Sequence, residues 1–71
     1  MPNEKKIRAR IVEQGLTIGE IALKMEISAY TLGKKISGKA KMTLDEAWLL
    51  MSILNIPDSE FILYFFCHQV A

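Results

Sequence analysis

The 71-residue chain lacks most of the side chains that catalytic and metal centres need. Its one histidine, His68, and its one cysteine, Cys67, are neighbours in sequence and cannot both face one site in a regular helix or strand. There is no glycine-rich phosphate loop, and two candidate ligands are too few for a structural zinc ion. The sequence therefore predicts no enzymatic activity, no cofactor, no metal site and no small-molecule substrate.

Disulfides and long hydrophobic runs are also missing. A single cysteine cannot form a disulfide within the chain, which is typical of proteins in a reducing cytoplasm. The first residues, MPNEKK, lack the apolar segment of a signal peptide. The longest apolar run, Phe61 to Cys67, has seven residues, whereas a membrane-spanning helix needs about 20. We expect a cytoplasmic protein without membrane contact, with residues 1–71 forming a single domain.

Basic residues are absent from the C-terminal part of the chain. All nine Lys and Arg lie between Lys5 and Lys41, and residues 1–41 hold four acidic residues, so this N-terminal segment carries a net charge of +5. From Met42 onward there are four acidic and no basic residues, a net charge of −4, although the whole chain carries only +1. The N-terminal segment is therefore the candidate surface for binding a polyanion.

Two short helices with separate start signals lie close together in the basic segment. Thr17 and Glu20 form a capping box for the first helix, and Ser28 begins the second. The predicted helices span 18–25 and 29–36, so only three or four residues join them. A helix-turn-helix of this kind can place its second helix in the major groove of DNA. We expect an apolar seam between the two helices, formed by Ala22, Met25, Ile27, Leu32 and Ile36.

Three further helices complete the predicted fold, which is all-α. The first spans about 4–14, and Gly15 is placed as its left-handed C-terminal cap. Thr43 and Glu46 form a second capping box, which opens the fourth helix. The apolar segment after it has the composition of a helix or of a strand, and we favour a helix over 59–64, with the remaining tail extended or packed on a partner chain. The inner face of the fourth helix is predicted to comprise Leu44, Ala47, Met51 and, at its end, Leu54.

Four segments of the chain carry a resemblance to a known protein family. They are GLT at 15–17, IALKM at 21–25, ISAYTLGKKISGK at 27–39 and TLDEAWLLMSILNIP at 43–57. With these segments in this order, the chain resembles the phage repressor and Cro family of helix-turn-helix domains, over nearly its whole length. The resemblance implies a compact five-helix bundle of the lambda repressor type. It also implies a small phage or bacterial transcriptional regulator that binds double-stranded DNA, occupies an operator and excludes polymerase.

Two positions depart from that family. The turn between the two helices often has Gly, whereas this chain has Glu26, and a non-Gly residue in the left-handed conformation costs ~1–2 kcal/mol. Either the turn differs here or the domain carries that strain. The family often has Gln at the start of its second helix, where it touches phosphate, whereas Ile18 can donate no hydrogen bond.

The N-terminal end of the recognition helix is the part that such domains present to base edges. We predict that Ala29 meets a thymine methyl and that Lys34 reaches guanine O6 and N7. Tyr30 is predicted to pack on a thymine methyl or to donate a hydrogen bond to a phosphate. The alternative is that its ring lies on the protein surface without contacting DNA. Gly33, also predicted at the base edges, lets the helix approach closely, at a cost of ~1 kcal/mol relative to Ala. The alternative for Gly33 is a tight contact with another helix.

Phosphate contacts are predicted for residues that flank the recognition helix. Lysines near its end and in the following loop supply positive charge without sequence information. The predicted phosphate contacts are Thr17, Ser28, Thr31, Lys35, Lys39 and Lys41. Further candidates in the first helix and the N-terminal arm are Lys5, Lys6, Arg8 and Arg10.

A homodimer is expected, because a single module buries only ~600–1,000 Å² on DNA. Two copies would read half-sites about 34 Å apart. Hydrophobic residues make up 51% of the chain, which indicates either a dense helical core or an interface between copies. The segment 61–71 is the candidate dimerisation segment, with the interface predicted at Phe61, Ile62, Leu63, Phe65 and Phe66 and with Trp48 nearby.

Two other functions remain open at this point. A protein-interaction module would keep the fold without binding DNA, which fits the missing Gln and the acidic C-terminal half. An antitoxin-like protein would bind DNA and use the apolar C-terminal segment to neutralise a protein partner. Within the first function, the chain is either a compact Cro-like protein or the DNA-binding half of a longer repressor.

Overall fold

Residues 2–65, which the computed structural model describes, form five α-helices and one 3-10 turn, with no β-strand among them. The all-α, five-helix prediction is confirmed, and so is the preference for a helix in the apolar C-terminal segment. The elements are α1 (Glu4–Glu13), α2 (Ile18–Lys24), α3 (Ala29–Ser37), α4 (Leu44–Ile53), the 3-10 turn (Asp58–Glu60) and α5 (Phe61–Phe65). Among the same residues, no helix has the length and apolar character needed to cross a bilayer.

The first four helices each begin at a side chain that caps the exposed backbone N–H groups. The capping residue accepts a hydrogen bond from the N–H three residues further on, which satisfies a donor that has no partner within the helix. In α2 and α4 the glutamate at that third position also accepts from the N–H of the capping residue, so both predicted capping boxes are present. The four capping residues are Asn3, Thr17, Ser28 and Thr43.

The same helices end on a residue with a positive φ. Gly15 (φ 71°) and Gly38 (φ 85°) adopt this conformation without steric cost, and Asn55 (φ 56°) is tolerated there. Glu26 (φ 60°) is the costly case. Its N–H donates to Leu23 O at 3.2 Å, and the Ile27 N–H donates to Ala22 O at 3.0 Å, as in a Schellman motif. The turn between α2 and α3 therefore keeps the left-handed geometry and carries the strain of a non-Gly residue.

The core lies where α2 and α3 pack against each other and against α1, α4 and α5. Leu32 of α3 is fully buried, as is Ile36 one turn later, and Ala22 of α2 leaves room for the close contact. Met25 is buried and Ile27 packs against the same cluster, so the predicted seam between α2 and α3 is confirmed. This packing fixes which face of α3 points outward.

The predicted inner face of α4 needs one correction. Ala47, Met51 and Leu54 are buried as expected, and Leu50 joins them. Leu44 is 60% exposed, because the first turn of α4 lies at the edge of an open groove and not beneath another helix. The position of a residue at the end of an amphipathic helix depends on what the neighbouring elements cover, which periodicity does not report.

Candidate nucleic-acid interface

The start of α3 is organised by two hydroxyl groups that bond to each other. Ser28 Oγ accepts from the Thr31 N–H at 3.0 Å and donates to Thr31 Oγ1 at 2.8 Å. The Thr31 O–H then has no acceptor among residues 2–65, so it is available as a donor. Thr17 is used similarly: its Oγ1 accepts from the Glu20 N–H at 3.1 Å, and its own O–H has no acceptor in the described part. These hydroxyls shape two helix starts and can each donate one further hydrogen bond.

The four predicted base-contacting residues lie together on the outward face of α3. Ala29 and Tyr30 are exposed, the latter at 75%, and Gly33 and Lys34 follow one turn later on the same side. Lys34 Nζ lies 5.1 Å from the centroid of the Tyr30 ring, a cation–π contact. At an exposed site such a contact contributes only ~0.5–1 kcal/mol, so it orients Lys34 without holding it in place.

Gly33 is not explained by packing within the chain. A Cβ built at this position has no heavy atom within 4 Å, so the alternative of a tight contact with another helix is wrong. The residue is half-buried, yet the space above it is open. The helix therefore carries the cost of an internal glycine with no steric need for it among residues 2–65.

A shallow concavity of about 340 Å³ joins the outward face of α3 to the start of α1. It brings the four predicted base contacts together with Lys39, and it adds Glu4, Arg8 and Ser37. Arg8 Nε is paired with Glu4 Oε2 at 2.9 Å, and both side chains are partly exposed. The sequence indicated Arg8 only as a minor candidate and gave no sign of Glu4, because α1 and α3 are brought together only by the fold.

Lys35, a predicted phosphate contact, has its ammonium group engaged within the chain. Its Nζ donates to Glu46 Oε1 at 3.0 Å and to the carbonyl oxygen of Lys41 at 2.9 Å, and its side chain is only 15% exposed. Since the ammonium group is engaged at both partners, it joins the end of α3 to the following loop and to α4. The hydrogen bond from the Thr43 N–H lowers the pKa of the Glu46 carboxyl most, and the hydrogen bond from the Lys35 ammonium lowers it further.

Lys39 and Lys41 are exposed, and neither forms an ion pair with another residue between 2 and 65. Their loop is held at both ends. The Lys39 N–H donates to Lys34 O at 2.9 Å, and Lys41 O accepts from Lys35. Two exposed lysine side chains therefore extend from a hydrogen-bonded loop beside the end of α3.

Two cations of α1 that were candidates for DNA contacts have partners within the chain. Arg10 donates from Nε to Leu54 O at 3.0 Å and from Nη2 to Asn55 O at 2.7 Å, which caps the end of α4. A DNA contact by Arg10 would require it to leave these carbonyl groups. Lys6 Nζ lies 5.0 Å from the Tyr64 ring centroid of α5, whereas Lys5 is exposed. Ile18 packs against the core and offers no donor, as its side chain dictates.

The predicted dimer interface is only partly available. Phe65 is 6% exposed and belongs to the buried core of its own chain. Its ring centroid lies 5.2 Å from that of Phe61. Phe61 is half-buried and stacks on Trp48 at 4.6 Å. Ile62 is 66% exposed and Leu63 is also exposed. Phe65 is therefore removed from the predicted interface, while Phe66, Cys67 and His68 lie outside the described residues.

No cluster of three or more metal-ligating side chains occurs within residues 2–65. What this part of the molecule presents is the outward face of α3, with Ala29, Tyr30, Gly33 and Lys34, and two exposed lysines beside it that form no ion pair within residues 2–65. Comparisons of the chain with protein-family models, with curated proteins and with solved structures find no match in any of the three.

Proposed function

We propose that this chain binds double-stranded DNA through a helix-turn-helix formed by α2 and α3. In this proposal α3 enters the major groove, with Ala29, Tyr30, Gly33 and Lys34 at the base edges. The observation that carries the proposal is the outward face of α3, which is exposed, lacks a side chain at Gly33 and has two free lysines beside it. Arrangement as a compact domain of the lambda repressor type is part of the same proposal.

The phosphate contacts follow from the groups that remain free. Lys39 and Lys41 extend from the loop after α3, and the Thr17 and Thr31 hydroxyls each have a donor to offer. Ser28 already donates to Thr31, so its direct role is to cap α3 and to orient that hydroxyl. Arg8 sits at the edge of the concavity beside α3 and reaches a phosphate only by leaving Glu4.

The proposed protein acts as a small transcriptional regulator and works as a dimer. Ile62 and Leu63 of α5 are exposed, and so are Trp48 and Leu49 of α4. Exposed apolar side chains that join into one patch mark protein–protein interaction sites. Two copies joined through this surface would present two recognition helices to an operator with two-fold symmetry.

Selection of bound sequences from a random duplex pool tests the proposal. We expect enrichment of a palindrome whose half-sites lie about 34 Å apart, one helical turn. Enrichment of a single unpaired half-site would contradict the dimer and leave the DNA contact standing. Failure to retain any duplex at low salt would contradict DNA binding itself.

A protein-interaction role is the second candidate, and the exposed side chains of Ile62 and Leu63 favour it. The same apolar surface would then bind a protein partner, as in an antitoxin-like protein. Molar mass at high protein concentration separates these possibilities. A dimer that dissociates when Ile62 is changed to Glu supports the interface between copies, whereas a monomer at all concentrations favours a different protein on this surface.

A further inference from the structure

An open groove of about 610 Å³ lies beside the loop after α3 and shares Lys39 with the concavity beside α1. We call it the loop groove. Its walls are formed by the loop itself, by the first turn of α4, by the aromatic rings of α5 and by Pro2. The lining includes Lys39, Lys41, Met42, Leu44, Phe61 and Phe65. The volume is in the range of small-molecule sites, ~300–1,000 Å³.

The charge of the lining is one-sided. Among residues 2–65, no acidic residue lines the loop groove, and the charged lining residues are Lys39 and Lys41. Asp45, which follows Leu44 directly, is exposed but is not part of the lining, and Glu46 accepts hydrogen bonds from the Thr43 N–H and from Lys35. The groove therefore combines apolar walls with two exposed ammonium groups that have no ion-pair partner among residues 2–65.

We propose that the loop groove binds a small amphipathic carboxylate of the medium-chain fatty-acid class, and that this ligand weakens DNA binding. The apolar chain would pack on Met42, Leu44 and Phe61, while the carboxylate would lie beside Lys39 and Lys41. Both parts of the lining are needed, because an apolar chain gains from burial and a carboxylate gains from a nearby ammonium group.

The coupling arises from shared side chains and rests on the proposed DNA-binding function. Lys39 and Lys41 are the lysines assigned to DNA phosphates, and they also line the loop groove. A carboxylate bound beside them competes with phosphate for the same ammonium groups. Since linkage is reciprocal, DNA must weaken the binding of the carboxylate by the same factor.

Titration of the full chain with decanoate, followed by ¹H–¹⁵N NMR, tests the site directly. We expect the largest shifts at Met42, Leu44 and Phe61, with small changes on the outward face of α3. Trp48 provides a second readout, because it stacks on Phe61 and is the chain's single tryptophan. Decanol, which has the same chain without the charge, should bind about fivefold more weakly, the upper range for one exposed charge pair.

A pair of leucine variants separates specific binding from adsorption of an amphiphile. Leu44→Glu adds a negative charge at an exposed position in the groove, whereas Leu23→Glu changes a leucine of α2 that is also exposed and lies outside it. Decanoate binding should fall about fivefold or more in L44E and stay unchanged in L23E. Equal effects of the two variants, equal binding of decanol, or absence of groove shifts would each overturn the ligand assignment.

The same titration repeated in the presence of the selected duplex tests the coupling. We expect the apparent DNA affinity to fall as decanoate is added and to be unaffected by decanol. Unchanged DNA affinity at saturating decanoate would overturn the coupling. If decanoate bound with groove shifts but no duplex were retained in any condition, the groove site would be supported and the proposed function overturned.

Discussion

Lys35 Nζ lies 3.0 Å from Glu46 Oε1 and also donates to the carbonyl oxygen of Lys41, so a single ammonium group fastens α3, the following loop and α4 together. Glu46 at the same time accepts from the Thr43 N–H at 2.8 Å. The side chains of both partners are largely buried from solvent, which makes the pair less sensitive to salt than an exposed one. The relationship holds the lysine-bearing loop at a fixed position beside α3.

Replacing Glu46 with Gln should make stability less dependent on pH. The carboxyl pKa is lowered from its ordinary value of 4.5 by the Thr43 N–H and by Lys35. The stabilisation is therefore complete above that ordinary value and is lost as pH falls through the lower, folded value. At neutral pH, E46Q should cost about 0.5–1 kcal/mol, since the amide keeps the cap and loses only the charge. Urea unfolding from pH 7 to pH 2 measures the difference between E46Q and the original chain, which should shrink below pH 4.5.

Glu20→Gln is the matched control for that experiment. Glu20 holds the same position in the capping box of α2, accepting from the Thr17 N–H at 3.0 Å, and it has no lysine partner among residues 2–65. E20Q should therefore change stability less than E46Q at neutral pH. An equal loss in the two variants would show that the cap, and not Lys35, accounts for the effect.

Replacing Gly33 with Ala should separate stability from DNA binding. The added methyl group meets no atom of another element among residues 2–65, and alanine is the better helix former, so unfolding should cost ~0.5–1 kcal/mol more. If α3 lies close to DNA at this point, affinity should fall about tenfold, equivalent to ~1.4 kcal/mol. Thermal unfolding and a binding titration with the selected duplex measure the two effects.

The control for that substitution is Gly19→Ala in α2. A Cβ there meets only Thr17 Oγ1 at 3.9 Å, an ordinary contact, so G19A should also fold. It should leave the affinity for the duplex nearly unchanged. If G33A bound DNA as tightly as G19A, close approach of α3 at Gly33 would be wrong.

Lys34 and Lys39 should respond differently to alanine substitution. K34A should relax base preference at one position by ~1–3 kcal/mol, because its ammonium group is assigned to a base edge. K39A should weaken all sequences alike and reduce the slope of log K against log salt by ~0.9, the value for one phosphate contact. Binding to a panel of single-base operator variants, at several salt concentrations, separates the two.

Lys35→Ala completes the lysine series. Because Lys35 is engaged within the chain, K35A should lower stability and leave the salt slope unchanged once the protein is folded. If K35A reduced the slope of log K against log salt as much as K39A does, Lys35 would be assigned to a phosphate contact after all.

Replacing Glu26 with Gly should stabilise the domain by about 0.5–1 kcal/mol. Glycine removes a left-handed strain of ~1–2 kcal/mol and loses part of that gain through the greater freedom of the unfolded chain. Glu26→Ala removes the charge at the end of α2 and keeps the strain, so it should not reproduce the gain. Chemical unfolding of both variants decides this, and equal stabilisation would attribute the effect to charge.

Helix starts and ends could be predicted from the sequence because they depend on residues within three or four positions of each other. The two capping boxes at Thr17 and Thr43 and the left-handed cap at Gly15 all formed as predicted. The seam around Leu32 was also predictable, since helical periodicity places those side chains on one face. The sequence by itself thus determined five helices, the capping residues that start α2, α3 and α4, and the outward residues of α3.

Tertiary structure decided which charged and aromatic side chains remain free. Lys35 pairs with a residue 11 positions away, and Arg10 caps a helix 44 positions away, so neither engagement is visible in local spacing. Phe65 and Ile62 are alike in hydrophobicity, yet one fills the core and the other faces solvent. Such outcomes depend on how separate helices meet in space, and periodicity within one helix carries no information about its neighbours.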